Sequence, residues 1–88
     1  MAYKVELRPE AVQDLHRLDQ TIAQRVIKRL RWLSENFEGL TPEQLNAELK
    51  GLFKFRVGSY RIVYTANKDA QIITVHFIGH RKDIYKQK

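Results

Sequence analysis

The stretch GHRKDIY sets a histidine, an arginine, a lysine and a tyrosine behind Gly79, directly after a strongly apolar run. Upstream, LFKFRV and YRIVYTA carry Lys54, Arg56 and Arg61 among apolar residues. Arginine grips a phosphate through two hydrogen bonds and keeps its charge at any physiological pH. Tyrosine offers a ring on which an exposed base can stack, and a polar hydroxyl. Lysine and histidine can move protons. Together these side chains suit a site for a phosphate-bearing substrate, provided the fold gathers them.

Strand register decides whether it does. Gly58-Ser59 separates two strands by two residues, and glycine at the first central position suits a type II′ hairpin. That turn pairs Val57 with Tyr60, Arg56 with Arg61, Phe55 with Ile62 and Lys54 with Val63. One face then holds Phe53, Phe55, Val57, Tyr60, Ile62 and Tyr64; the other holds Lys54, Arg56 and Arg61. A second turn at Asn67-Lys68-Asp69-Ala70, with Ala66 opposite Gln71, sets Ile62 beside Val75 and Arg61 beside His76. His76 then joins the cations, and His80 keeps its parity near the same edge. Like charges opposite one another cost a fraction of a kcal/mol up to about 1 kcal/mol. No carboxylate stands among Lys54, Arg56 and Arg61 in this register. A face charged only for solubility would mix signs, so cations alone favour an anion site.

The elements that must carry these residues are legible. Tyr3–Arg8 alternates like a short strand. Pro9 suits the first position of a helix with Glu10 in its first turn and Ala11, Val12, Leu15 and Leu18 as its apolar stripe. Asp19 can cap a second helix whose stripe is Ile22, Val26, Leu30, Leu33 and Phe37, ended by Gly39. Thr41-Pro42-Glu43-Gln44 has the form of a capping box and predicts a short helix or helical turn over 42–49, closed by Gly51. From Leu52 the period changes to two, and LFKFRV, YRIVYTA and QIITVHFI read as three strands. The fold class is α+β. An N-terminal strand, an antiparallel helical hairpin and a three-strand antiparallel meander form one sheet with the helices on one face. Residues 1–88 make a single domain, small enough that folding buries only about 60% of the unfolded surface.

Composition narrows the partners. Residues 1–49 hold seven Lys/Arg and eight Asp/Glu, net −1; residues 50–88 hold nine and two, net +7, which together give the total of +6. Such one-sided charge favours a polyanionic partner. There is no cysteine, so no disulfide or thiolate metal site is possible. His76 and His80 have an H-x3-H spacing but no obvious third ligand, so no metal and no cofactor are expected. No apolar run approaches the roughly 20 residues of a membrane span, and the N-terminus lacks the apolar region of a signal peptide. A cytoplasmic protein without a membrane partner is the expectation. On the second helix, Arg25, Lys28, Arg29 and Arg31 lie away from the apolar stripe and read as a solvated face, with binding of nucleic acid or a partner the alternative. Trp32 reads as packing at the edge of the helical hairpin, and His16 as exposed.

LKGLFKFRVGSYRIVY followed by GHRKDIY resembles the RelE/ParE toxin superfamily, and within it the RelE-type ribosome-dependent mRNA interferases. The similarity covers nearly the whole chain. Its most specific parts are the Y-R-I-V-Y strand and the G-H-R-x-x-x-Y ending. The resemblance implies a small toxin that enters the ribosomal A site, cleaves mRNA there and is held inactive by a cognate acidic antitoxin. By that resemblance Lys54, Arg61, Arg81, Tyr85 and His80 are catalytic and Arg56 belongs to the same site; Arg56, with His76 placed by the strand register, would help bind the substrate. Position 52 is leucine where some members have a second lysine, and either Lys54 or His80 is the general base. The implied reaction is metal-independent attack of the 2′-hydroxyl on the adjacent phosphorus, with arginines stabilising the charge that builds on the phosphate oxygens. Two rivals stand beside it: a ParE-like toxin that inhibits DNA gyrase by binding, and a non-catalytic RNA-binding module.

Overall fold

The computed structural model describes residues 2–45 and 51–80. Strand β1 (Lys4–Leu7) leads through Arg8 into helix α1 (Pro9–Arg17). Pro9 takes the first helical position, where a missing N–H costs nothing and the ring presets φ. Asp19 caps helix α2 (Gln20–Asn36) by accepting a hydrogen bond from the Thr21 N–H at 3.1 Å. A 3-10 turn at Phe37–Gly39 follows. Strands β2 (Glu43–Gln44), β3 (Phe53–Val57), β4 (Tyr60–Asn67) and β5 (Ile72–His80) complete the order of elements.

The five strands make one sheet in the order β1-β5-β4-β3-β2. β1 runs parallel to β5, and the remaining neighbours are antiparallel. The fold is α+β, with both helices packed on one sheet face as the residue pattern implies. Ala11 from α1 and Val26, Leu30 and Leu33 from α2 meet Val57, Ile62, Tyr64, Ile73, Val75 and Ile78 from the sheet, and Phe37 closes the cluster. Burying one large apolar side chain of this kind stabilises the fold by about 1.5–3 kcal/mol. A clip of two hydrogen bonds holds β1 against the end of α2. The Tyr3 N–H donates to the Ser34 carbonyl at 3.0 Å, and the buried Ser34 hydroxyl donates to the Tyr3 carbonyl.

The first hairpin has the expected register. Val57 faces Tyr60 and Arg56 faces Arg61, and Gly58 takes the φ of +60° that the turn needs. The second hairpin differs. Pairing persists to Asn67 opposite Ile72, so the turn is 68–71 and Ala66 faces Ile73 instead of Gln71. Asn67 Oδ1 accepts from the Ala70 N–H at 2.9 Å, and Gln71 absorbs the reversal with a φ of +58°. A bulge then falls between Val63 and Tyr64, with His76 as the extra residue between the Tyr64–Val75 and Val63–Phe77 pairs. Arg61 therefore lies opposite Gly79 rather than His76, and Ile62 opposite Ile78 rather than Val75.

The capping-box expectation over 42–49 also needs correction. Glu43 and Gln44 pair with Lys54 and Phe53 as an edge strand, and the Leu45 N–H donates to the Leu52 carbonyl at 2.9 Å. Residues 46–49 of that expected helix lie outside the described residues. A helix of one or two turns is marginal on its own. Pairing with β3 instead satisfies backbone groups that an open sheet edge would expose.

Candidate active site

β3 and β4 alternate between two faces, and the residues between the core positions carry the charge. Phe55, Val57, Ile62 and Tyr64 belong to the helix-covered side. Lys54, Arg56 and Arg61 therefore stand on the opposite face. A two-residue turn makes Val57–Tyr60 the hydrogen-bonded closing pair, so Arg56 and Arg61 form the next, non-hydrogen-bonded pair. Such pairs bring their Cα atoms to about 4.5 Å, the closer of the two antiparallel spacings. Lys54 is the next residue of β3 on this face, and its side chain is only 19% exposed.

Glu43, Lys54, Arg56 and Arg61 line one shallow, open depression. Glu43 Oε2 lies 3.4 Å from Lys54 Nζ. The expectation that no carboxylate stands among the cations is thus overturned, because β2 pairs along β3 and brings Glu43 directly opposite Lys54. The signal that could have found it is the polar dipeptide Glu43-Gln44 read as an edge strand, which its capping-box form conceals.

The histidines are placed differently from the sequence reading. His76 keeps the sheet face of Arg61 but does not pair beside it; its Nε2 lies 3.0 Å from the hydroxyl oxygen of Thr65, which has the parity of Arg61. Burial pushes its pKa below the ordinary histidine value, the Arg8 guanidinium pushes it further down, and Glu10 partly opposes. On that face His76 lies toward Arg8, because Leu7 pairs with Val75, and not next to Arg61, which pairs with Gly79. The bulge also reverses parity along β5. His80 stands opposite Tyr60 on the side of Ile78 and Ile62, and its ring meets the Tyr60 ring edge-on at 5.7 Å. Arg81 and Tyr85 lie outside the described residues. Tyr64, buried in the core, has its pKa pushed up to about 12, so its phenol stays protonated at neutral pH. Among the described residues no three His, Cys, Asp or Glu side chains gather as a metal site.

Residues 5–85 match the family described as the ParE toxin of the type II toxin–antitoxin system parDE. The chain belongs to that toxin family. A RelE-like toxin protein of Escherichia coli is 30% identical over 97% of this chain and 92% of its own length. Toxin RelG of Mycobacterium tuberculosis is 30% identical over 99% of this chain and the whole of that protein. A chain in the crystal structure of the Mycobacterium tuberculosis RelBE2 toxin–antitoxin complex superposes with a TM-score of 0.79. It is 28% identical, covering 92% of this chain and all of that one. The protein is therefore a toxin of the RelE/ParE type.

In this toxin one further contact supports the site from behind. β1 pairs with β5 only as far as Val75, whose carbonyl takes the Arg8 N–H at 2.9 Å. Beyond it the exposed edge of β5 is covered by α1, and Asp14 Oδ2 accepts from the Ile78 N–H at 3.0 Å. Ile78 immediately precedes Gly79, the residue opposite Arg61. Asp14 thereby anchors the end of β5 that runs beside the cations.

Proposed function

We propose that this toxin is a ribosome-dependent endoribonuclease that cleaves mRNA in the A site. The observation that carries the reading is the depression around Lys54, Arg56 and Arg61 on the sheet face without helices. In the proposed reaction the 2′-hydroxyl of one nucleotide attacks the neighbouring phosphorus. The bond to the 5′-oxygen of the next nucleotide breaks, that oxygen takes up a proton from water, and a 2′,3′-cyclic phosphate remains on the upstream fragment. Arg61, with Arg81 from the tail, binds the phosphate oxygens on which charge accumulates. Arg56 at the rim holds the strand, and Tyr85 stacks on or orients the base beside the cut. The position of Lys54 in the depression supports it over His80 as the acceptor of the 2′-hydroxyl proton, because His80 turns toward Tyr60. His76, held at Thr65, has no role in this scheme.

The partners follow from the same chemistry: mRNA on the ribosome when active, and a cognate acidic antitoxin when held inactive. The solved relative is a toxin–antitoxin complex, which supports the second. The cytoplasm is the compartment where both would be met. Among the described residues no helix is long and apolar enough to cross a membrane.

Cut sites on a translated message test the reading. Arg61→Ala and Arg81→Ala should each lower cleavage on programmed ribosomes by about 10²–10³ while preserving the fold. Tyr85→Phe should lose part of the activity and Tyr85→Ala nearly all of it. Unchanged cleavage in the Arg61→Ala/Arg81→Ala double variant would overturn the assignment. A second reading, inhibition of DNA gyrase by binding, takes support from the ParE description of the matching family. Toxicity with intact message and inhibited supercoiling would favour it.

A further inference from the structure

The outer side of α2 carries a second cationic surface that the proposed cleavage does not use. Between the cap at Asp19 and Glu35 the helix holds Arg25, Lys28, Arg29 and Arg31 and no carboxylate. Arg25, Lys28, Arg29 and Trp32 are spaced three, one and three apart, so they form one stripe along the helix. Among the described residues none of these cations is paired with a carboxylate within 4.0 Å.

The stripe is partly ordered in advance. The Trp32 and Phe55 rings are parallel within 9° at 6.0 Å, and the Arg29 guanidinium lies 4.8 Å and 5.0 Å from their centroids. The rings restrain Arg29 without neutralising it. Trp32 remains 38% exposed, so this aromatic–guanidinium stack reaches the surface. Nη1 of Arg25 lies 3.8 Å from the point a side-chain carbon on Gly58 would occupy, at the turn between β3 and β4. Arg56 and Arg61 are the second pair in from that same turn, on the other face. A cationic rim therefore wraps the tip of the hairpin from α2 to the depression.

We infer that this α2 stripe docks the sugar–phosphate backbone of folded RNA, apart from the message strand in the depression. Arg25 and Arg29 are one helical turn apart, about 6 Å along the axis, a separation comparable to that of consecutive phosphates on one strand. A protein partner would call for an apolar centre inside a polar rim. This stripe has cations around one partly exposed ring, the composition of a surface that tracks a nucleic-acid backbone. The inference rests on the reading of the toxin as ribosome-directed: the second RNA is that of the ribosome body, and the stripe supplies affinity without chemistry.

The test uses the full chain and purified bacterial ribosomes carrying no mRNA, with affinity measured across a potassium chloride series. Arg25→Gln/Lys28→Gln/Arg29→Gln should bind at least tenfold more weakly at low salt. The slope of log affinity against log salt should fall by about 2, at roughly 0.7–0.9 per lost phosphate contact. Arg25→Lys/Lys28→Arg/Arg29→Lys keeps the charges and should keep the slope. Single-turnover cleavage at saturating ribosome should be the same in all three proteins. An unchanged slope in the glutamine variant overturns the inference even if the parent cleaves mRNA. So does loss of antitoxin binding with ribosome affinity intact, which would give the stripe to an acidic protein. A parent that binds empty ribosomes with the full slope but cuts no message refutes the cleavage reading and leaves the stripe's role standing.

Discussion

Glu43 Oε2 lies 3.4 Å from Lys54 Nζ, and both line the depression shared with Arg56 and Arg61. A carboxylate in an anion site competes with any phosphate that enters. Because Glu43 is 72% exposed, the pair itself adds little to stability, between about 0 and 1 kcal/mol. Glu43→Gln should therefore leave the denaturant midpoint nearly unchanged and tighten binding of a short RNA oligonucleotide several-fold. Fluorescence anisotropy would show it. Equal affinity in the two proteins would mean that the carboxylate does not compete with phosphate.

Arg56 faces Arg61 across the hairpin, a like-charge pair that strand packing disfavours. Arg56→Thr removes that repulsion and adds a β-branched residue suited to a strand. Its unfolding free energy should rise by a few tenths of a kcal/mol up to about 1 kcal/mol, while KM for cleavage on programmed ribosomes increases. Gain of stability with loss of function is the signature of a charge kept for substrate. A variant that is less stable than the parent would show that Arg56 holds the fold.

Asp14 supplies the acceptor for the Ile78 N–H where β1 no longer covers β5. Asp14→Ala leaves that amide without its partner and should cost about 1–3 kcal/mol in urea unfolding. Asp14→Asn retains an acceptor oxygen and should cost less. Hydrogen exchange at Ile78 should accelerate in the alanine variant ahead of the core amides of β4; equal protection at Ile78 would show that this bond is not what orders the edge.

His76 is held with a pKa below the ordinary histidine value, chiefly by burial and next by Arg8. The unfolded chain therefore takes up a proton at a higher pH than the native protein. The stability from keeping His76 neutral is complete above the unfolded value near 6.5 and is lost as pH falls from there through the folded value. Urea midpoints taken from pH 8 to pH 5 should decline in the parent, and the His76→Gln variant should show a shallower decline. Parallel curves would remove His76 as the cause.

The helices and the first hairpin are local, and local patterning was enough for them. The apolar stripe of α2 at Ile22, Val26, Leu30 and Leu33, the cap at Asp19 and the two-residue turn at Gly58 are each decided within a few residues. Side chains alternate along a strand, so that turn alone put Lys54, Arg56 and Arg61 on one face. The proposal that these cations form an anion site, and that Arg81 and Tyr85 belong to it, rests on residue type and on the resemblance to RelE/ParE toxins; Arg81 and Tyr85 lie outside the described residues.

Longer-range relationships depended on tertiary packing. A four-residue turn at 68–71 and the bulge at His76 are both compatible with the same alternating sequence, and a single inserted residue exchanges the two faces. The longer pairing sets His76 beside Thr65, and the exchange turns His80 to the side of Tyr60. The parallel pairing of β1 with β5, the anchoring of Ile78 by Asp14 and the pairing of β2 with β3 join segments whose local propensities do not name their partners. The sequence by itself determined the cations and the face they share. Only the tertiary structure decided which acid stands among them and where the histidines lie along β5, because register across a bulge and the cover of a sheet edge are set by what packs alongside.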